Sequence, residues 1–297
     1  MKIAEPSPQM IASALRGELA SIDALITSIQ PGIYNLAVRM LGNREDAADA
    51  TQEILLKLVT HLSSFRAESA FSTWAFRVAK NHLLTAATKS RESPEVSLDG
   101  IVEGLAQGLA FNQQQTEPFG ERVLQPDEKL EAKQIALGCT QKMLMSLDRD
   151  QRLSYLLDIV FGLSSEAAAS VLEISADAHR QRLSRSRARL DRFTAQSCGL
   201  VSKTAACRCE KQIPAIRHRK KISAAENLAL TETVFIIHPV ERDEVQRNFD
   251  AIVRLGNASE LIKAHPSYQA PDAMQRAIRS VLRIEGFLPA NAAGLAH

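Results

Sequence analysis

Between Asp46 and Asn81 the chain reads DAADATQEILLKLVTHLSSFRAESAFSTWAFRVAKN, two helical periods separated by a short polar hinge. In the first period Ala47, Ile54, Leu55, Leu58, Val59 and Leu62 recur at helical spacing and form one apolar stripe. Asp46, Asp49 and Glu53 fall on the opposite side, with Gln52 beside them. In the second period Phe71, Trp74, Ala75, Val78 and Ala79 are the expected buried stripe, and Thr73, Arg77, Lys80 and Asn81 the expected exposed side. The hinge, Ser63 to Ala70, carries Phe65, Arg66, Glu68 and Ser69 in a place not forced to be core. A stretch so patterned folds as a helical hairpin with one acidic face and one basic, hydrogen-bonding face. Spacing alone suits an ordinary hairpin with solvated faces at least as well as a binding device.

The order of residues says more than the spacing. D-x-x-D-x-x-Q-E from Asp46 to Glu53, then F-R-x-E-S-x-F-x-T-W-x-x-R-x-x-x-N from Phe65 to Asn81, resembles the core of bacterial RNA polymerase sigma factors. The nearest group is the small extracytoplasmic-function sigma factors, and the likeness runs from Ile33 to about Arg91. It is much more specific than a short motif.

Composition sets outer bounds. A chain of 297 residues with 45% hydrophobic and 24% charged residues can bury a core, and its length suggests about two domains. A net charge of +2 excludes a wholly basic nucleic-acid coat, so any nucleic-acid binding must come from local patches. Four cysteines do not make a disulfide scaffold in a chain of this length. No apolar run of about eighteen residues is present, and MKIAEPSPQM lacks the basic and apolar parts of a signal peptide. The expectation is a soluble, cytoplasmic, all-α protein without membrane insertion.

In chain order, a short amphipathic piece covers Met10 to Leu19, and Ile22 to Leu41 reads as helix broken by Pro31-Gly32. Gly42-Asn43 is a stop and turn before the hairpin. These elements make a first helical domain over residues 1–91. Periodicity fades from Ser90 to Asp127, where Pro and Gln accumulate, so 92–127 reads as a flexible linker with a short helix near Ile101 to Leu109.

Residues 128–196 form a second helical domain. Ser164 stands at a helix N-cap, Ala167 to Leu172 supplies a short helix, Glu173-Ile174-Ser175 is a turn, and Ser175 can cap the next helix. This is a helix-turn-helix pattern. In its second helix Leu183, Ser186 and Leu190 lie on the buried side, while Arg182, Arg185, Arg189 and Arg192 with Gln181 share one broad exposed face. Such a face suits a major groove, since Arg can neutralise phosphates and bind guanine edges. The segment resembles the second DNA-reading domain of extracytoplasmic-function sigma factors through Gly162-Leu163-Ser164, Ala169, Leu172, Ile174-Ser175, Arg182-Leu183, Arg185 and Arg187. It departs from that pattern at three places. Ala167-Ala168 replaces Glu-Ile, His179 replaces an apolar residue and reads as a core histidine, and Glu173 replaces the turn glycine. The turn must then avoid a left-handed backbone or strain to reach it.

Residues 197–297 exceed what a minimal sigma factor of this group needs. Helical periodicity returns over Leu228 to Ile237, Val245 to Leu255, Ser259 to His265 (ended by Pro266) and Ala273 to Ile284. Cys198, Cys207 and Cys209, with His218 in the basic run Arg217 to Lys221, leave three readings open: a zinc site, a redox pair, or plain reduced thiols. Cys139 reads as a buried apolar residue.

No nucleotide-binding, metalloprotease or hydrolase motif occurs, so neither an enzyme nor a bound cofactor is expected. What the resemblance implies is a promoter-specificity subunit whose partners are core RNA polymerase and promoter DNA, with an anti-sigma protein as a further candidate. It places Asp46, Asp49, Gln52 and Glu53 on the polymerase. It assigns Phe65, Arg66, Glu68 and Ser69 to the capture of a minus-ten base. Thr73, Trp74, Arg77, Lys80 and Asn81 fall to minus-ten reading, with Trp74 equally readable as core, and Arg180, Arg182 and Arg185 to the minus-thirty-five element. The tail is expected to regulate. The competing reading is a helix-turn-helix regulator that binds duplex DNA alone, which leaves the pattern from Asp46 to Asn81 unexplained.

Overall fold

The structure is a computed structural model that describes residues 5–86, 96–225 and 257–271, together with residues 247, 276 and 280. The described residues are all-α, and their one strand-like contact is the pairing of Cys198 with Cys207. No helix among them is long and apolar enough to cross a membrane. Of the helical stretches expected in the tail, Leu228 to Ile237 and nearly all of Val245 to Leu255 and Ala273 to Ile284 lie outside the described residues.

Contacts gather the chain into two compact units that cut across the order of the sequence. Unit 1 takes residues 1–91, 156–179 and 268–297; unit 2 takes 92–155 and 180–267. The boundary falls inside one continuous helix, Ala176–Ser197 (α9), after His179.

Unit 1 is built on α1 (Pro8–Leu15), α2 (Leu19–Leu41), α3 (Arg44–Thr60) and α4 (Phe71–Ala86), with α8 (Ser165–Leu172) packed on α4. The expected break in α2 does not occur, and Pro31 sits inside a continuous helix. Proline removes one hydrogen bond from the ladder. Leu25, Ile26 and Ile29 before it and Ile33, Leu36 and Ala37 after it are all buried, so packing on both sides carries the helix through. Gly42, at φ 71°, stops α2 in the left-handed conformation that glycine adopts freely. Asn43 then caps α3, its side chain accepting from the N–H groups of Glu45 and Asp46.

Unit 2 contains α5 (Leu98–Gln113), α6 (Pro126–Met145), α7 (Arg149–Tyr155), most of α9, α10 (Ile213–Ala225) and α11 (Ala258–Lys263). The expected linker therefore holds a helix of 16 residues, capped by Ser97, whose Oγ accepts from Gly100 N–H. It docks on the 3-10 turn Cys209–Gln212. Gln212 Nε2 donates to Leu105 O at 3.0 Å, and a Cβ on Gly108 would collide with the Gln212 side chain. Buried Arg152 closes the C-terminal end of α6, donating to the carbonyls of Leu144, Met145 and Leu147. Part of the tail belongs to this core, since Leu261 and Ala264 pack with Ala136 and Leu137.

Candidate polymerase and nucleic-acid interfaces

The apolar stripe of α3 is buried as its periodicity predicts, with Ala47, Ile54, Leu55 and Leu58 at 2% exposure or less. That burial turns Asp46, Asp49 and Glu53 to the exposed side, with Gln52 half-buried next to them. Asp46, Asp49 and Glu53 line one wall of an open groove whose other wall includes Asn81 and His82 of α4. His82 lies 3.7 Å from Glu53 and 3.0 Å from Lys57 Nζ.

The hinge folds around its aromatic ring. Phe65 meets Phe71 edge-on at 5.1 Å and Trp74 at 5.6 Å. Phe65 is half-buried, while Arg66 and Glu68 are exposed and Ser69 half-buried. Ala67 between them adopts φ 55°, a left-handed backbone at a residue with a Cβ. The hinge therefore displays charge around an aromatic cluster in a strained turn, an arrangement open to a flat ligand.

On α4 the expected exposed side needs correction. Thr73 and Lys80 are buried, at 7% and 6%, Arg77 is half-buried, and only Asn81 is fully exposed. The cause is α8. Arg77 Nη2 donates to Ser170 Oγ at 2.9 Å, and the Lys80 ammonium bonds the Glu173 carboxylate as an ion pair. Lys80 and Arg77 hold the Glu173 carboxyl below the usual carboxylate range, chiefly through the Lys80 hydrogen bond. Trp74, readable from sequence as either reader or core, is core at 9% exposure. Val78 is half-buried, and Phe76, absent from the expected stripe, is buried against Phe161 with centroids 5.1 Å apart.

The helix-turn-helix caps form as read. Ser164 Oγ accepts from Ala167 N–H and Ser175 Oγ from Ala178 N–H. Glu173 does reach the left-handed region, at φ 58° and ψ 41°. His179 is wholly buried, its Nε2 3.6 Å from Asp158 Oδ2. Along α9, Leu183, Ser186 and Leu190 are buried; Arg180, Arg185, Arg189 and Arg192 are exposed, and half-buried Arg182 lies 3.9 Å from Asp150.

All four cysteines line one cavity of about 30 Å³ in unit 2. Burial pushes every thiol up: Cys139 to about 12, Cys207 to about 11, Cys209 well above its ordinary value, and Cys198 also upward. His218 stands apart, stacked on Phe111 at 5.0 Å. Among the described residues no group of three His, Cys, Asp or Glu side chains is placed to hold a metal ion. Cys198 and Cys209 pack against Ala136, Leu137, Leu261 and Ala264, and Cys207 Sγ accepts from Gln212 Nε2 at 3.7 Å.

Sequence reasoning missed Ser170, Phe76 and, from the tail, Tyr268. In unit 1 the Tyr268 N–H donates to Asn35 Oδ1 at 2.8 Å and its carbonyl accepts from Asn35 Nδ2 at 3.0 Å. The guanidinium groups of Arg39 and Arg44 stand 4.9 and 4.8 Å from its ring centroid. No local pattern could have found a partner 233 residues away.

Two family profiles match the chain: Sigma-70 region 2 over residues 25–92, and Sigma-70, region 4 over residues 137–190. The chain is similar to the RNA polymerase sigma-H factor of Pseudomonas aeruginosa, 29% identical over 192 residues that cover 63% of this chain and 93% of that one. It is 28% identical over 177 residues to the ECF RNA polymerase sigma factor SigW of Bacillus subtilis, covering 60% of this chain and 90% of the relative. To the ECF RNA polymerase sigma-E factor of Escherichia coli it is 26% identical over 190 residues, 61% of this chain and 91% of the relative. Each relative is thus matched over nearly its whole length, while more than a third of this chain stays outside the match.

Proposed function

Given that the chain belongs to the sigma-70 family, in its extracytoplasmic-function group, we propose that it binds core RNA polymerase and directs promoter-specific transcription initiation. The observation that carries this reading is the hairpin of α3 and α4 inside the region 2 match. It offers an exposed acidic face on one helix and an aromatic, basic helix on the next. Asp46, Asp49, Gln52 and Glu53 dock the polymerase, where exposed charge gives orientation and fast association more than raw affinity. Phe65, Arg66, Glu68 and Ser69 receive an unstacked minus-ten base, for which a ring and polar neighbours are what extrusion requires. Arg77, Lys80 and Asn81 contact minus-ten DNA, with Trp74 and Thr73 supporting them from the core. Arg180, Arg182 and Arg185 face the minus-thirty-five duplex. As a specificity subunit the chain performs no covalent chemistry of its own.

The test is run-off transcription by purified core polymerase on a pool of promoter fragments, with and without the protein. Transcripts that depend on the protein and start at a shared pair of sequence boxes are the expected result. Tight, specific duplex binding without polymerase, and no transcripts, would replace this reading with a stand-alone regulator.

A further inference from the structure

The face of α4 assigned to DNA is occupied by another part of the same unit. Arg77 donates to Ser170, and Lys80 is ion-paired with Glu173. The Lys80 side chain is 7% exposed and that of Glu173 59%, so the cation is covered while the carboxylate reaches it from the surface. Phe76 against Phe161 adds apolar contact to the same packing of α8 on α4. Two of the cations that would meet DNA are therefore already engaged, and Lys80 can neutralise this carboxylate or a phosphate but not both.

Glu173 supplies an independent observation. It ends α8 at φ 58°, a backbone that glycine adopts without steric cost and a residue with a Cβ does not. A glutamate at a glycine-favouring turn calls for a use of its side chain, and among the described residues that side chain bonds Lys80.

We propose that α8, through Ser170 and Glu173, is an intramolecular clasp on the promoter-reading face of α4, with the Glu173 carboxylate standing in for a DNA phosphate. The clasp rests on the reading of α4 as the minus-ten helix and adds its regulation. The chain samples DNA-competent and clasped arrangements, and the clasped fraction lowers its apparent affinity for promoter DNA. Whatever loosens α8 from α4 raises promoter use.

The contact and the regulation are tested separately in the full-length chain. Lys80 acylation by a water-soluble succinimidyl ester, read by mass spectrometry against other lysines, reports the contact without reference to DNA. Glu173→Gly suits the left-handed turn and removes the carboxylate; Glu166→Gln removes one negative charge from the same helix and leaves the clasp. Lys80 labelling is expected to rise about twofold to fivefold in Glu173→Gly, the weight of one partly screened ion pair, and to stay level in Glu166→Gln. No rise, or an equal rise in both, overturns the clasp. Run-off transcription at limiting protein is then expected to rise by a similar factor in Glu173→Gly alone. Exposed Lys80 with unchanged transcripts overturns the regulatory role. Exposed Lys80 with no transcripts from any variant overturns the sigma reading beneath it.

Discussion

Replacing Tyr268 with alanine should unseat the tail from unit 1. Tyr268 is 3% exposed, lies against two guanidinium groups and is clipped to Asn35 by bonds in both directions. Truncating a buried aromatic side chain costs about 3–5 kcal/mol, because transfer and cavity terms add. Of that, the cation–π contact with half-buried Arg44 contributes about 0.5–1 kcal/mol and the contact with buried Arg39 about 2 kcal/mol. The backbone bonds to Asn35 survive the substitution, so the lower end, about 3 kcal/mol, is expected. For a unit of this size that shifts the melting midpoint by roughly 10–15 °C. The chain's one tryptophan, Trp74, is buried in the same unit, so denaturation followed by its fluorescence reports unit 1. A loss below about 1 kcal/mol, the range of an ordinary surface change, would mean that Tyr268 is not seated against Asn35 in solution. The same reasoning bears on a chain ended near Gln196. That truncation removes Tyr268 together with buried Ile213 and Leu261, so it should weaken both units and is not a clean probe of regulation.

Asp49→Ala with Glu53→Ala removes two exposed charges, so the midpoint should move by less than about 0.5 kcal/mol. Core-polymerase association should meanwhile slow by about tenfold at low salt in surface plasmon resonance; undiminished association would remove α3 from the interface. Cys207, at about 11, has its thiolate suppressed by burial. Its alkylation in the folded chain should therefore be slow at pH 8 and quicken about tenfold for each pH unit up to the pKa. Labelling as fast as that of a free cysteine would show the cavity to be open. Glu128 is held near 2 by Arg122 first and then by the Gln125 N–H, below its ordinary 4.5. A depressed carboxyl contributes stability that is whole above about 4.5 and fades as pH falls toward 2, so Arg122→Leu should flatten that part of the melting-against-pH curve. An unchanged acid limb would assign the acid sensitivity to other groups.

What could be read in the sequence was local. The stripe of α3, the stop at Gly42-Asn43, the caps Ser164 and Ser175, and the buried side of α9 follow from neighbours within a few residues, and each took the expected form. Pro31 marks where that logic stops. A local rule ends the helix there, but apolar burial on both flanks outweighs one lost hydrogen bond. The short helix expected near Ile101 to Leu109 within the linker is longer than its local pattern suggests, because the partners that α5 packs on, Gln212 and His218, lie about a hundred residues downstream.

Lys80 shows the same limit at the candidate site. Helical phase put it on the outer face of α4 with Thr73 and Arg77, yet it is buried. Its burial comes from a carboxylate 93 residues away, held at a turn whose one oddity in the sequence was a glutamate in place of glycine. That departure was legible, and its meaning was not, since a sequence shows that a backbone will be strained without showing what the side chain then reaches. Strain at Glu173 and burial at Lys80 become one observation only when the two residues are in contact. A chain with glycine at 173 would have the easier turn and no carboxylate beside Lys80, so the unfavourable backbone and the covered cation stand or fall together.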